Sequence, residues 1–216
     1  MKVIAFVPIK LHSQRLTGKN LLPLAGRPLL WHVFHALQQV KGLDDVVCYC
    51  SDPAVQQYLP QGVTFRRRPT SLDADATEGL DIYTAFAREV VADYYLLCHA
   101  TSPFVNPASL QTALDKVMGE ELYDSAFAVQ RHQTFAWYQE KPLNYSLQHV
   151  PRTQEITPVF IETSAFYLFS RDTILQHHRR IGDHPYLHST TLPEALDIDT
   201  RDDYELALSL TSAIEI

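Results

Sequence analysis

Glycine is scarce in this chain, seven residues in 216. Neither G-x-x-x-x-G-K-[ST] nor G-x-G-x-x-G occurs, so both glycine-rich phosphate loops of α/β proteins are excluded. Cysteine is scarcer still, and Cys48, Cys50 and Cys98 all lie inside apolar runs. An odd number without C-x-x-C spacing suits neither a disulfide framework nor a zinc site, so the thiols read as core packing in a reducing cytosol, and a cytoplasmic location is expected. No apolar run approaches the roughly 18 residues of a membrane span. The opening MKVIAFVPIK has a short apolar stretch cut off by Pro8 and Lys10, with no small-residue cleavage site after it, and is not read as a signal segment. Positive charge is also in deficit, 18 Lys and Arg against 25 Asp and Glu, a net charge of -7. Nucleic acid and anionic membranes are bound through clustered cations, so neither is expected as a partner and any phosphate chemistry is local.

What is present is the balance of a soluble packed domain, 46% hydrophobic and 20% charged. The length suits a single domain spanning 1–216. Apolar runs of strand length recur at Val3 to Val7, Val46 to Tyr49, Tyr94 to Cys98 and Ser125 to Val129, most of them followed by a polar loop and a helical pattern. This alternation predicts an α/β fold with a doubly wound, mainly parallel sheet. Helices are expected over about Leu29 to Val40 after Pro28, within Thr77 to Val91, from Asn106-Pro107, near Arg171 to His178, and from Arg201 to Ala213. Strands are expected over Ala165 to Phe169 and near Pro185 to His188. From His132 to Thr157, aromatics and prolines break the rhythm, and this stretch reads as a hairpin-like excursion. Trp137 and Tyr138 there either line a sugar pocket or a dimer contact or, as aromatics in an excursion more often do, simply pack.

Two loops carry chemistry. The first strand runs into PIKLHSQRLTGKN, which sets down Lys10, Arg15 and Lys19 with Gly18 as its one glycine. In open α/β sheets ligands bind beyond the carboxyl ends of the strands, so the loop is either a phosphate cradle of backbone N–H groups and cations or a solvated surface loop. Near the other end stands Ala195-Leu196-Asp197-Ile198-Asp199-Thr200. Aspartates two apart on an extended chain face one side, and magnesium favours one or two carboxylates plus phosphate and water oxygens. Thr200 with Asp203 forms a capping-box pattern that starts the last helix just after them. D-x-D also arises by chance at the end of a strand.

Read together, these segments resemble the CMP-sialic acid synthetases and their relatives that activate 3-deoxy-2-keto sugar acids with CTP. The family's loop A-R-x-x-S-K-x-x-x-K-N stands here as Ile9 to Asn20, with Ser13, Lys19 and Asn20 matching directly, followed by Pro23-Leu24-Ala25-Gly26-Arg27-Pro28-Leu29. Arg68-Pro69 with Asp75, Thr101-Ser102-Pro103, Pro151-Arg152 with Gln154, Ala165-Phe166-Tyr167 and Asp197-Ile198-Asp199-Thr200 follow in the family's order. The resemblance implies a Rossmann-like nucleotidyltransferase fold and transfer of CMP from CTP to the hydroxyl of an acidic 2-keto sugar, with pyrophosphate released. It implies catalytic roles for Lys10, Lys19, Asp197 and Asp199, with the two aspartates as ligands of Mg2+. Ser13, Lys19, Asn20, Arg68 and Asp75 would hold the nucleotide, and His99, Arg152, Thr163 and Tyr167 the acceptor. It further implies a homodimer in which the excursion 132–157 reaches toward the partner's sugar site.

The departures are informative. Lys10 stands where the family has arginine and loses the planar fork. His99 stands where the family has glutamine, and a histidine there either titrates beside substrate or simply packs. The family's R-P-N-G-A-I-Y appears as Ile161-Glu162-Thr163-Ser164-Ala165-Phe166-Tyr167, which points to an acceptor other than ordinary N-acetylneuraminate. Glu78 and Gly79 replace small hydroxyl residues near the nucleotide. The histidines of His177 to His188 lack metal-ligand spacing and are not read as a metal site. A sugar phosphate, a polyol phosphate or a phosphonate is therefore an alternative acceptor, and a non-catalytic nucleotide-binding paralogue is the remaining reading.

Overall fold

A computed structural model describes residues 1–11, 16–119 and 122–212. In chain order the elements are β1 (Val3–Ile9), a one-turn 3-10 helix (Lys19–Leu21), the small hairpin β2 (Pro23–Leu24) and β3 (Arg27–Pro28), α1 (Leu29–Leu37), β4 (Asp45–Cys50), β5 (Thr64–Arg67), α2 (Gly79–Glu89), β6 (Tyr94–Cys98) and α3 (Pro107–Gly119). There follow β7 (Ser125–His132), a second small hairpin β8 (Trp137–Tyr138) and β9 (Lys141–Pro142), β10 (Val159–Ser170), α4 (Arg171–Leu175), β11 (Pro185–Ser189) and α5 (Arg201–Thr211). Seven strands form the central sheet in the order β11-β7-β10-β6-β1-β4-β5. All neighbours are parallel except β10, which runs antiparallel to both β6 and β7. The mainly parallel α/β sheet expected from the alternating runs is therefore present.

The central strands read as unbroken apolar runs because helices cover both faces. On one face Val3, Ala5, Val7, Cys48 and Cys98 pack against α1 and α3 through Val33, Phe34, Leu110 and Ala113. On the other, Phe6, Tyr49, Tyr95 and Tyr167 pack against α2 through Tyr83 and Phe86. All three cysteines are free and buried, and burial pushes the Cys48 and Cys98 thiols well above their ordinary range, as suits inert packing. A third cluster, Leu24, Leu29, Ile198, Tyr204 and Ala207, joins the chain just after the first loop to the chain around the D-x-D. The Tyr204 hydroxyl reinforces that join by donating to the Pro23 carbonyl.

Several expectations need correction. The helix after Pro28 ends at Leu37, and the one after Ser170 ends at Leu175, short of Val40 and His178. The D-x-D lies outside any strand, anchored instead by the Ile198 N–H donating to the Thr101 carbonyl at 2.8 Å. Edge strand β5 escapes an apolar-run search because three of its four residues are polar. Strand β10 is 12 residues long, more than twice the Ala165 to Phe169 expected. Its outer half pairs Val159 with His132 and leaves Phe160 and Ile161 exposed, so the alternation of a buried strand is absent there. Trp137 and Tyr138 are 55% and 64% exposed rather than packed.

Candidate active site

Lys19, in the segment that follows β1, and Asp199 of the D-x-D meet beyond the carboxyl ends of β1 and β6, where an open α/β sheet places its ligands. Gly18, at φ 64°, turns the chain into the 3-10 helix that carries Lys19 and Asn20 inward. The Asn20 side chain donates to the Lys10 carbonyl at 2.8 Å and so closes the loop on itself. Lys19 is only 7% exposed, and its Nζ donates to Asp199 Oδ1 at 2.7 Å. A residue 180 positions away is thereby fixed against the first loop.

The two aspartates differ. Thr200 and Asp203 form the expected capping box at the start of α5, and Asp203 Oδ2 also accepts from the Asp199 N–H at 3.1 Å, which sets the backbone of the D-x-D. Asp197 Oδ1 is buried and takes no hydrogen bond from any described residue. Burial pushes the Asp197 carboxyl up, the Asp199 charge adds to this, and a hydrogen bond from Thr101 opposes it. A buried, unpartnered carboxylate oxygen beside a second carboxylate is a donor set that suits a divalent cation, which takes one or two carboxylates and completes its shell with phosphate and water oxygens. Among the described residues no cluster of three or more His, Cys, Asp or Glu is placed to hold a metal, and the His177 to His188 stretch forms none.

Lys10 lies at the outer rim, paired with Asp75 at 3.3 Å, both side chains well exposed. Arg68 is nearly closed to solvent, donates to Asp73 Oδ1 at 2.6 Å and has its Nε unpartnered among the described residues. Burial works to raise Asp73, but hydrogen bonds from Ser51 and Arg68 and the Arg68 charge outweigh it and hold the carboxyl below its usual range. Ser13 lies outside the described residues. Arg152 stands exposed in the excursion with its backbone N–H on Glu155.

A second group of side chains lies beside the first. Between Glu162 and Tyr167 the β10 register against β7 shifts, and Ser164 bulges out at φ 61°, a conformation that favours glycine. Its carbonyl meets His99 Nδ1 at 2.5 Å, while His99 Nε2 lies 3.0 Å from the Tyr83 hydroxyl. Because a carbonyl only accepts, Nδ1 carries a proton, and in the neutral ring Nε2 then accepts from the Tyr83 O–H. Burial lowers the His99 pKa, consistent with that state, although the Ser164 carbonyl and the Asp197 charge oppose it. Gly79 leaves room for the tyrosine, since a Cβ there would stand 2.8 Å from the Tyr83 hydroxyl. Thr163, in the same bulge, buries an Oγ1 with no partner among the described residues. Tyr167 donates to Glu162 Oε2 at 2.8 Å, and Arg180 lies over its ring at 4.0 Å.

Paired aspartates and a buried lysine beyond the carboxyl ends of a mostly parallel sheet are the arrangement of a nucleotide-handling α/β protein. The chain belongs to the cytidylyltransferase family, which it matches over residues 4–213. It is 29% identical over 207 residues to the N-acylneuraminate cytidylyltransferase of Oncorhynchus mykiss, covering 90% of this chain and 47% of that protein. The chain thus spans about half the length of that relative. Among solved structures it superposes on CMP:2-keto-3-deoxy-manno-octonic acid synthetase complexed with CTP with a TM-score of 0.74, 19% identity and full coverage of both chains. It also superposes on 4-diphosphocytidyl-2C-methyl-D-erythritol synthase from Anaerococcus prevotii DSM 20548, with a TM-score of 0.69, 9% identity and coverage of 98% and 96% of the two chains. At these identities the structural likeness is one of fold.

Sequence reasoning missed Tyr83, Glu162 and Arg180. Tyr83 reads as one more apolar position on the helical face of α2. Glu162 lies outside the short strand expected from the apolar run. Arg180 sits in a histidine-rich stretch that draws attention to metals rather than to its cation.

Proposed function

We propose that this protein is a cytidylyltransferase that transfers CMP from CTP to the hydroxyl of an acidic acceptor and releases pyrophosphate. The observation that carries the reading is the joining of Lys19 to Asp199 beside the buried, unpartnered carboxylate oxygen of Asp197. Asp197 and Asp199 would hold Mg2+, which when bound supplies positive charge against the phosphate oxygens. Lys19 brings a fixed ammonium to the same place, where negative charge accumulates as the α-phosphorus is attacked. Arg68, anchored on Asp73, holds the segment after β5 for the nucleotide, and Lys10 with Asp75 closes the rim. The acceptor would lie on the His99, Thr163 and Tyr167 side, so that its hydroxyl enters opposite the departing pyrophosphate.

An acidic 2-keto sugar is the first acceptor class, in keeping with the relative's name. A polyol or sugar phosphate is the second, favoured by the altered Ile161 to Ser164 segment. The exposed Trp137, Tyr138, Leu143, Leu147 and Val150 support a homodimer built through the excursion, in which Arg152 would serve the partner's site. Pyrophosphate release from CTP is the test, run over a panel of sugar acids and sugar phosphates with and without Mg2+. Turnover is expected only with an acidic acceptor and the metal present. CTP binding without turnover on any acceptor would leave the non-catalytic reading, and a monomer at micromolar concentration would exclude the dimer.

A further inference from the structure

We infer that Arg180, on the loop between α4 and β11, is the specificity-determining residue that receives the oxyanion of the acceptor. The inference rests on the cytidylyltransferase reading and adds to it the residue that selects the acceptor. Arg180 is held from two sides. Its guanidinium lies over the Tyr167 ring at 4.0 Å, and its Nη2 donates to Glu162 Oε2 at 3.1 Å. Glu162 is fixed in turn by the Tyr167 hydroxyl. A planar cation clamped in this way is preorganised, and it loses less freedom on gripping a carboxylate or phosphate than a free surface arginine would.

Its place in the fold aims it at the acceptor. Phe166 of β10 pairs with Cys98 of β6, so Glu162 to Ser164 project past the carboxyl end of β6, the same end from which the chain runs on to Thr101 and its contact with the D-x-D. The charges of Asp197, Lys19 and Arg180 all act on the His99 ring, whose centroid lies 6.3 Å from that of the Tyr167 ring that Arg180 covers. The unpartnered Thr163 hydroxyl, buried in the same bulge, is a second group there that a ligand would satisfy. The pair with Glu162 does not withhold the cation. Their side chains remain 34% and 46% exposed, an ion pair of that kind contributes little, and a guanidinium has further donors to offer.

The test compares a 2-keto-3-deoxy sugar acid with its neutral methyl ester, and a polyol phosphate with the unphosphorylated polyol, in wild type, Arg180→Gln and Arg180→Lys. Wild type is expected to prefer one acid over its neutral partner in kcat/KM, and the preferred pair identifies the oxyanion. Arg180→Gln should lose about tenfold to hundredfold of that preference while the KM for CTP stays within about twofold, and Arg180→Lys should fall between. A preference kept intact in Arg180→Gln overturns the assignment. If CTP is not consumed with any acceptor, the cytidylyltransferase reading fails, and binding of the same acids by titration calorimetry decides Arg180 separately. Weaker binding by Arg180→Gln than by wild type upholds it, and equal binding, or none by wild type, overturns it. A CTP-induced rise in Tm, or failing that an unchanged circular dichroism spectrum, confirms that each variant is folded.

Discussion

Replacing each aspartate of the D-x-D by asparagine should have different effects on stability and the same effect on turnover. Asp199 accepts from the buried ammonium of Lys19 at 2.7 Å, so Asp199→Asn leaves a cation 7% exposed without its charged partner. Breaking a fully buried pair costs about 3 to 5 kcal/mol. The Asp199 side chain is 29% exposed and water can reach it, which reduces the expected loss to about 1 to 2 kcal/mol. For a chain of this size that corresponds to a Tm lower by about 2 to 8 °C. Asp197→Asn removes a charge that the metal-free fold holds at a cost, next to a second carboxylate. Its Tm should therefore stay level or rise. The assay is thermal unfolding at pH 7.5 in excess chelator, paired with pyrophosphate release in Mg2+, where both variants should lose at least about a hundredfold. A drop in Tm for Asp197→Asn larger than that for Asp199→Asn would refute the assignment of the ammonium to one carboxylate and the metal's vacant oxygen to the other.

Two further predictions concern the fold around the site. Ser164→Gly should stabilise the protein by about 0.5 to 1 kcal/mol, seen as a raised denaturant midpoint, because the φ of 61° penalises a side chain by more than glycine loses in the unfolded chain. An unchanged midpoint would mean that the serine hydroxyl compensates for the strain. His32 is buried and His188 half-buried, and desolvation holds each pKa below the ordinary 6.5, against the Leu24 carbonyl in one case and the Glu194 charge in the other. Below 6.5 the unfolded chain takes up protons that the fold refuses, so their contribution is complete above that pH and is lost as pH falls toward the depressed values. Tm should decline between pH 7.5 and 5.5, before the carboxylates titrate. His32→Gln, which retains a donor for the Leu24 carbonyl, should flatten that slope, and an unaltered slope would count against the assignment.

How much of this was readable in advance follows the physics of each element. Strands covered on both faces, such as β1 and β6, announce themselves as apolar runs. The capping box of Thr200 and Asp203 is local chemistry, and it appears where its spacing requires. Lys19, Asn20 and the two aspartates were found through a pattern along the chain, and the fold brings Lys19 to Asp199. Strand β10 resisted because its outer half pairs with β7 while leaving side chains in water, and the bulge at Ser164 has no periodicity. Tyr83, Glu162 and Arg180 belong to three separate elements and meet only through tertiary packing, which no spacing in a single sequence records. Arg152 is the reverse case, matched by motif yet exposed within one chain.

Ile198 has a consequence that reaches beyond its neighbours. Wedged at full burial between the two aspartates, it packs with Leu24 and Leu29 from the first part of the chain and with Tyr204 and Ala207 from the last helix. The candidate centre is thus closed by a hydrophobic clasp between segments some 170 residues apart in the order of synthesis. Lys19 leaves the ribosome well before its aspartate, which follows 180 positions later. Contacts so distant in sequence are late and slow to form. A nascent or partly folded chain in which the two segments have not yet met therefore holds Lys19 apart from Asp199, and the candidate centre exists only once the clasp has closed.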